Sequence, residues 1–331
     1  PTPVSSRNVT GGWSRSGHSR RCEQEPRGFP APCRGKEHWV DKGCRQTPLP
    51  CSMEQQGDKE GRRHQLSMAG LALAEGDLTW ATSVPNWRSG IAEHVEKAAM
   101  GSLVAKELKY LQGELEKPSR PFVVILGGKK VSDKIGVINA LLDKADTILI
   151  GGAMQYAFRK AQGHAIGTSY AVDEDIPIAK DILAQAEARG TNLLLPADSL
   201  EADDFSNEAN THSITPYADG GGIRDGWEGL DIGNHAIDEF SAILKDAKTV
   251  IWNGPMGVFE IDAFAKGTKA ICEVLANNTA ATTIIGGGDS VTAVNKFGLG
   301  DKMTFMSTGG GASLELLEGK TLPGVAALSE A

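Results

Sequence analysis

From about residue 86 onward, short apolar runs alternate with stretches in which apolar residues recur every three to four positions. The runs cover residues 122–126, 147–150, 192–195, 249–252, 282–285 and 303–306. Runs that are apolar at consecutive positions are typical of parallel strands that helices cover on both faces. The alternation therefore predicts an α/β fold, with a Rossmann-like parallel sheet and helices on both faces.

Three helices can be placed by the same spacing. Apolar residues at helical intervals predict one long helix over residues 93–115, which Lys117-Pro118 ends. A second helix is predicted over residues 131–143, and a third over residues 312–318, where Gly319 ends it. Both of these shorter helices open directly after a glycine-rich turn.

Glycine follows five of the six predicted strands, in loops that begin at Gly127, Gly151, Asn253, Gly286 and Ser307. The carboxyl ends of parallel strands meet at one edge, where open α/β sheets bind their ligands. A single Gly-Gly is explained by a tight turn. Glycine also lets backbone N–H groups approach a phosphate, and a following helix presents its positive end to the anion. Five such loops at one edge favour a phosphate or nucleotide site.

The loops lack both common phosphate fingerprints, G-x-x-x-x-G-K-[ST] and a strand-linked G-x-G-x-x-G, so side chains must indicate the chemistry. Lys130 and Lys134 stand four residues apart at the start of the second helix, so they are predicted to share one face of it and both to reach a polyphosphate at its amino terminus. Two solvated lysines are the alternative. Asp289 follows three glycines and could hold Mg²⁺ while Ser290 holds phosphate. An ordinary N-cap aspartate is the alternative there.

Composition and charge argue against two other classes of protein. The chain has 331 residues, 40% of them hydrophobic, which is about two domains' worth of sequence. No stretch approaches the roughly 18 consecutive apolar residues that a membrane span needs. A net charge of −8 argues against a general nucleic-acid binder. We expect neither a membrane nor a nucleic acid as a partner.

The first 70 residues differ from the rest, with 12 Lys and Arg against 7 Asp and Glu and only six Ile, Leu, Val or Phe. So little apolar surface does not offset the entropy of ordering the chain. We therefore expect residues 1–85 to be unassigned and largely disordered, and residues 86–331 to form the folded domain. Cysteines and histidines here suggest zinc, but no C-x2–4-C pair occurs, so no metal site is expected at Cys22, Cys33, Cys44, Cys51, His18 or His38.

Five segments together resemble the carboxyl-terminal, nucleotide-binding domain of the phosphoglycerate kinase family. They are RPFVVILGGKKVSDKI (120–135), GWEGLDIG (226–233), TVIWNGPMGVFE (249–260), TIIGGGDSVTAV (283–294) and STGGGASLELLEGKTLPGV (307–325). The resemblance runs from about residue 93 to near the end of the chain. It implies phosphoryl transfer between 1,3-bisphosphoglycerate with ADP and 3-phosphoglycerate with ATP in glycolysis, with this chain supplying the nucleotide half.

The resemblance also implies a role for individual residues. Lys130, Lys134 and the triple glycine would act on the transferred phosphoryl group, and Asp289 would hold Mg²⁺. The remaining residues would bind ADP or ATP, with Glu260 on the ribose, Asn253, Gly287, Gly288 and Ser290 at the phosphates, and Gly128, Gly152, Gly229 and Leu230 around the adenine. The triple glycine is Gly309, Gly310 and Gly311. Such roles fit the chemistry, because phosphoryl transfer mainly needs positioning and charge neutralisation.

The chain departs from the family's pattern in three places. Lys129 stands where the family usually has a small residue beside the nucleotide, and could crowd the base or add a charge. Asn234 replaces a usual proline and still suits a helix start. The family's substrate domain, whose basic residues grip phosphoglycerate, has no recognisable counterpart in residues 1–85, so no residue is assigned to that substrate.

Two functions therefore remain open. The first is the enzyme, with the acceptor-binding residues supplied elsewhere; the second is a catalytically silent module that binds ADP or ATP. A fused or mistranslated gene product without a role is a third. The absent substrate motif favours the module for this chain as written, and the resemblance implies a cytoplasmic monomer.

Overall fold

The computed structural model describes residues 97–329, and in that range nine strands form two sheets. The larger sheet has six strands in the order β3-β2-β1-β7-β8-β9, and every neighbouring pair in it is parallel. Its strands are β1 (Phe122–Leu126), β2 (Thr147–Ile150), β3 (Asn192–Leu194), β7 (Thr249–Asn253), β8 (Thr282–Gly286) and β9 (Phe305–Met306). The six predicted strands are these six, and the predicted α/β fold is confirmed.

Helices pack on both faces of this sheet. Alternate residues of β1 face opposite sides, so Val124 belongs to one apolar cluster and Val123 to the other. Leu111 and Ile138 cover the first face, and Phe240 covers the second. The helices are α1 (Ser102–Leu108), α2 (Glu114–Glu116), α3 (Ile135–Leu141), α4 (Gln155–Ala161), α5 (Asp175–Arg189), α6 (Asn234–Asp246), α7 (Lys266–Asn277), α8 (Gly288–Lys296), α9 (Gly310–Leu317) and α10 (Pro323–Ala326).

The predicted long helix over residues 93–115 begins later than expected. Residues 97–101 are not helical, and Gly101 is extended with φ −77° and ψ 167°. Ala98 instead pairs with the far end of the chain: its N–H donates to Ser329 Oγ at 2.9 Å, and its carbonyl accepts from Ser329 N–H at 2.8 Å. From Ser102 the helix continues through a π-helical segment, Lys109–Gly113, to Glu116.

The helix predicted over residues 131–143 is shorter in the structure, where it covers only Ile135–Leu141. The carboxylate of Asp175, at the start of α5, accepts hydrogen bonds from Val131 N–H at 2.9 Å and Ser132 N–H at 3.3 Å. Those bonds hold residues 131–134 in turns. Lys130 and Lys134 therefore do not share a helical face, which corrects the prediction from their spacing.

Three smaller boundaries also differ from the predictions. The third predicted strand ends at Leu194, and the sixth covers only Phe305–Met306. Thr304 reaches β8 through its side chain, because Thr304 Oγ1 accepts from Thr283 N–H at 3.0 Å. The last predicted helix starts two residues early, at Gly310, and Gly319 with φ +80° follows it.

A second, antiparallel sheet was not predicted. Its strands are β4 (Ser199–Ala202), β5 (Thr211–Ser213) and β6 (Glu228–Ile232), in the order β5-β4-β6. Glu201 lies fully buried in it, and its carboxylate accepts from Arg224 Nε at 2.5 Å and lies 3.2 Å from His212 Nδ1. A strand that buries a charged residue has no apolar run by which it could be recognised.

The expectations for residues 1–85, including the cysteines and histidines considered for zinc, lie outside the described residues. Within residues 97–329, no helix combines the length and the apolar character needed to cross a membrane.

Candidate functional site

A cavity of about 370 Å³ opens at the carboxyl edge of the parallel sheet, beside the small sheet. The loops after β1, β2 and β7 line it, together with β6 and the start of α8. Six of the predicted site residues are among its lining: Gly128, Gly152, Gly229, Leu230, Glu260 and Asp289. The structure therefore brings together residues that are far apart in sequence, at the edge that the glycine loops indicated.

The lining requires glycine where two backbones or a ring come close. A Cβ built on Gly229 would lie 2.0 Å from the hydroxyl oxygen of Tyr156, which is too short for two atoms that are not bonded to each other. Gly152 has φ +64°, and its Cβ would lie 2.5 Å from the backbone nitrogen of Gly128. Side chains at these positions would displace the walls, so the glycines shape the cavity.

A group of polar side chains lies next to the cavity, where β1, β7 and β8 end. Lys134 Nζ donates a hydrogen bond to Asn253 Oδ1. Burial lowers the pKa of the Lys134 ammonium to about 8, against the opposing charges of Asp133 and Asp289. Asn253 is 1% exposed, and its Nδ2 has no hydrogen-bond partner among the described residues. An unpaired donor and a partly desolvated cation thus lie side by side, as an anion would require.

The loop after β8 supports Asn253 from the other side. Gly287 has φ +83°, and a Cβ there would come within 3.2 Å of Asn253 Oδ1. Gly288 opens α8 with no atom near its Cβ position, which leaves the amino terminus of that helix accessible. Ser290 is buried, and its Oγ accepts from Gly254 N–H at 2.6 Å. Ser290 therefore fixes the neighbouring loop.

Lys130 and the triple glycine are not part of the cavity wall. Lys130 is exposed and is not among the residues that line the cavity. Gly309, Gly310 and Gly311 do not line it either, although Gly309 and Gly310 lie at the start of α9. The sequence predicted these four residues at the reacting phosphoryl group, and that assignment stays a prediction.

The residues before the triple glycine are held by a buried carboxylate that sequence reasoning missed. Glu107 on α1 has no exposed surface, and it accepts from Ser307 Oγ at 2.8 Å, from Thr308 N–H at 2.8 Å and from Thr308 Oγ1 at 3.1 Å. The burial of Glu107 could have been predicted from the sequence, because Glu107 lies three residues after Val104 and four before Leu111, on the buried side of the helix. A charged residue on an apolar stripe signals a buried polar contact.

Most other lining residues were not predicted either. Those beside a glycine motif could have been found from their position, whereas Tyr170 and Phe205 come from loops with no local signal. The lining that sequence analysis did not assign to the site comprises Lys129, Ala153, Gln155, Tyr156, Tyr170, Phe205, Glu228, Pro255, Met256, Gly257 and Val258. Lys129 had been noted only as a departure beside the nucleotide.

The donor set suits a nucleotide with a magnesium ion. No group of three or more His, Cys, Asp or Glu side chains capable of holding a metal occurs within residues 97–329. Asp289 can contribute a carboxylate from the part of the cavity wall at the start of α8, where its charge also acts on Lys134. Mg²⁺ is commonly held by one or two carboxylates, several waters and the substrate's phosphates, so a single aspartate is compatible with it.

The fold and this edge define a class: an open α/β domain with glycine-rich loops beside a cavity at the carboxyl edge of its parallel sheet, the edge at which such domains bind their ligands. Comparison with known proteins names the family. The model of the phosphoglycerate kinase family matches residues 87–320, and the chain belongs to that family.

Curated relatives agree with this assignment. A phosphoglycerate kinase of Akkermansia muciniphila is 57% identical over 241 residues, which cover 73% of this chain and 60% of the relative. One of Acaryochloris marina is 50% identical over 282 residues, 85% of this chain and 69% of the relative. The chain thus spans about 60% of the length of several relatives that it matches.

Two solved structures share the fold. The structure of phosphoglycerate kinase from Coxiella burnetii superposes with a TM-score of 0.69 at 38% identity, covering 72% of this chain and 61% of that one. The enzyme from Pyrococcus horikoshii gives a TM-score of 0.59 at 29% identity, covering 72% and 59%.

Proposed function

We propose that this chain binds Mg²⁺ with ADP or ATP and supplies the nucleotide half of phosphoryl transfer between 1,3-bisphosphoglycerate and ADP, the glycolytic reaction of its family. The observation that carries the proposal is the arrangement of three groups beside the cavity. Asn253 has a buried donor without a partner within residues 97–329, Lys134 is a partly desolvated cation, and Asp289 is a carboxylate on the cavity wall. A nucleotide's phosphates would satisfy the first two and share a metal with the third.

The residues that line the cavity suggest where the base, the ribose and the phosphates of the nucleotide would lie. The base would lie in the cavity, between the loops of Gly128 and Gly152 on one side and Gly229 and Leu230 on the other. Glu260, exposed at the cavity wall, would accept from the ribose hydroxyls. The phosphates would extend toward Asn253, with Gly287, Gly288 and Ser290 forming the loop beneath them.

Side chains of this chain would then neutralise the charge of the phosphates and position the phosphoryl group that is transferred. Lys134 would donate to the transferred phosphoryl oxygens, and Asn253, freed from Lys134, would turn its amide to the adjacent phosphate. Mg²⁺ on Asp289 would neutralise part of the phosphate charge when bound. Lys130 and the loop of Gly309, Gly310 and Gly311 would approach the same group as the acceptor side closes over it.

The acceptor, 3-phosphoglycerate or its bisphosphate, is proposed from the family alone, because no residue of this chain is assigned to it. The cytoplasmic location and the monomeric state are proposed in the same way, whereas the division into residues 1–85 and 86–331 is proposed from the composition and hydrophobic pattern of the sequence. A silent ADP- or ATP-binding module is the second candidate. One observation favours it: the family match begins at residue 87 and leaves residues 1–86 outside it.

Nucleotide binding is tested by calorimetry and thermal unfolding of the full chain with Mg-ADP. We expect a rise in Tm, since a ligand that binds only the native state stabilises it by mass action. Asp289→Ala should weaken binding in Mg²⁺ and have little effect in EDTA, whereas the exposed Asp301→Ala should change neither. Absence of heat and of a Tm shift at millimolar Mg-ADP contradicts the proposal.

Turnover separates the two candidates. A coupled assay with ATP, Mg²⁺ and 3-phosphoglycerate should show no rate near the roughly 1–100 per second of ordinary kinases if this chain is a binding module. Turnover in that range would instead establish the enzyme and would require residues outside the described range to hold the acceptor.

A further inference from the structure

Helix α8 contacts the nucleotide site at both of its ends. Asp289, in its first turn, lies on the cavity wall, and Ser290 Oγ accepts from Gly254 N–H, at the start of the loop after β7. Lys296 is the last residue of the helix. With a rise of about 1.5 Å per residue, Lys296 lies about 10 Å along the helix axis from Asp289. The helix thus reaches from the proposed metal and phosphate end of the site to a second point on the same loop.

The Lys296 ammonium holds the far part of that loop. Its Nζ donates to the carbonyl oxygens of Phe259, at 2.9 Å, and Glu260, at 3.3 Å. It also donates to Asp262 Oδ1 at 2.8 Å. A lysine ammonium has three N–H donors, and this one has three acceptors within four consecutive residues. Because two of the acceptors are backbone carbonyls, the ammonium fixes the course of the chain at Phe259 and Glu260.

Apolar packing ties the loop to the same helix. Phe259 is 3% exposed and belongs to a small apolar cluster with Ala265 and with Ala293, a fully buried residue of α8. Phe297, directly after the helix, packs against this cluster. The loop and the end of α8 are therefore held together by an apolar contact as well as by the ammonium.

Glu260 itself is not held by burial. It is exposed at the cavity wall, next to the carbonyl groups that Lys296 binds. An exposed side chain keeps much of its rotamer freedom, so the place of its carboxylate depends on the backbone from which it projects. A hydroxyl-to-carboxylate hydrogen bond spans only about 2.5–3.0 Å, so a small shift of that backbone would take the acceptor out of range of a ribose.

We propose that Lys296 is a positioning residue for the ribose, which holds the Glu260 carboxylate at the distance from Asp289 that a nucleoside diphosphate requires. The inference rests on the proposed nucleotide site, in which Glu260 accepts from the ribose hydroxyls and Asp289 holds Mg²⁺. Lys296 acts through Glu260, because its own three donors are used by the loop. Loss of Lys296 therefore removes the contribution of the hydroxyls and leaves the binding of base and phosphates.

The test is calorimetric titration of the full chain with the magnesium complexes of ADP and 2′,3′-dideoxy-ADP, which lacks both hydroxyls. We expect the unaltered chain to bind ADP about tenfold or more tightly, since hydrogen bonds to a charged acceptor are lost with the hydroxyls. Lys296→Met should reduce this ratio to about threefold or less and change the affinity for dideoxy-ADP by less than about twofold. Lys296→Arg keeps the charge and the N–H donors, and should stay closer to the unaltered ratio.

A double-mutant cycle distinguishes positioning from a merely structural role. Glu260→Ala should lower the ratio directly, and Lys296→Met added to it should lower the ratio no further, because both changes remove one interaction. A lysine that only stabilised the fold would weaken both nucleotides equally, whichever residue stood at position 260. The exposed Lys302→Met is the matched control and should keep the unaltered ratio.

A ratio of two affinities measured within one variant is insensitive to partial loss of folded protein, and Lys296→Arg provides the comparison where Lys296→Met does not fold. An unaltered ratio in Lys296→Met, or a ratio in Lys296→Arg as low as in Glu260→Ala, overturns the inference and leaves the proposed function standing. Equal binding of both nucleotides by the unaltered chain overturns the inference together with the ribose contact of Glu260. Failure of both nucleotides to bind overturns the proposed function as well.

Discussion

At the scale of single residues, the site depends on groups whose properties burial has altered. Lys134 illustrates this, because its ammonium is held beside Asn253 in a position that lowers its pKa to about 8. In water a lysine would stay charged well above that value. At pH values above about 8, such a side chain becomes fully charged only when an anion binds beside it.

Nucleotide binding should therefore take up a proton at alkaline pH. At pH 8.5 most free Lys134 is neutral, and bound phosphates raise its pKa, so uptake should be on the order of half a proton per nucleotide. At pH 6.5 the ammonium is already formed, and uptake from this group should be near zero. Calorimetry in two buffers of different ionisation enthalpy measures the difference.

Lys134→Met should abolish the uptake at pH 8.5 and weaken Mg-ADP binding, whereas the exposed Lys180→Met should do neither. Equal proton uptake by Lys134→Met and the unaltered chain would assign the proton to another group.

At the scale of elements, the loops of the site are held by carboxylates from distant helices. Asp175 anchors residues 131 and 132, and so decides where α3 begins. Glu107 does the same for the loop before α9, across about 200 residues of sequence. Each loop depends on a tertiary contact for its shape, since glycine-rich segments have little conformational preference of their own.

Removing the Glu107 side chain should lower the free energy of unfolding, because it deprives buried groups of their hydrogen-bond acceptor. Glu107→Ala leaves Ser307 Oγ and Thr308 N–H without their buried acceptor, and we expect the free energy of unfolding to fall by about 2–4 kcal/mol. Glu107→Gln keeps one acceptor and should lose less. Urea unfolding followed by circular dichroism measures both.

Glu116→Ala is the control in the same helical region, because Glu116 is exposed. Its effect should stay within about 0.5 kcal/mol. A Glu107→Ala variant as stable as this control would show that the carboxylate does not brace the loop.

At the scale of the whole molecule, one buried acid ties the small sheet to the domain core. Asp231 on β6 accepts from Gly267 N–H at 2.6 Å, at the start of α7, and from Ile232 N–H at 2.9 Å. Burial raises the pKa of its carboxyl to about 7, although both hydrogen bonds act in the opposite direction. The native state therefore holds this proton more tightly than the unfolded chain does.

Stability should consequently fall as the pH rises. The contribution of Asp231 is fully present below about pH 4, the unfolded value, and is lost as the pH passes through about 7. Three pKa units correspond to about 4 kcal/mol between pH 4 and pH 8, as an upper value. Urea unfolding across this range should show a much flatter profile for Asp231→Asn.

The exposed Asp238→Asn, on α6, is the matched control and should keep the slope of the unaltered chain. An equally steep profile in Asp231→Asn would assign the pH dependence to other groups.

The sequence by itself determined the elements with strong local signals. The six parallel strands are apolar at consecutive positions because helices cover both faces, so their runs were visible without a structure. The glycine loops were visible for a similar reason: their positive φ and close approaches are requirements on single residues. Family motifs then connected the site residues to a nucleotide.

Only the tertiary structure decided the rest. The start of α1 depends on Ser329, the start of α3 on Asp175, and the small sheet on the buried Glu201, and each of these contacts joins distant parts of the chain. The tertiary structure also brings the charges of Lys129 and Glu228, about 100 residues apart in sequence, to the wall of one cavity. Local patterns report the preferences of neighbouring residues, whereas burial and pairing across the fold set the helix starts, the pKa values and the chemistry of the cavity wall.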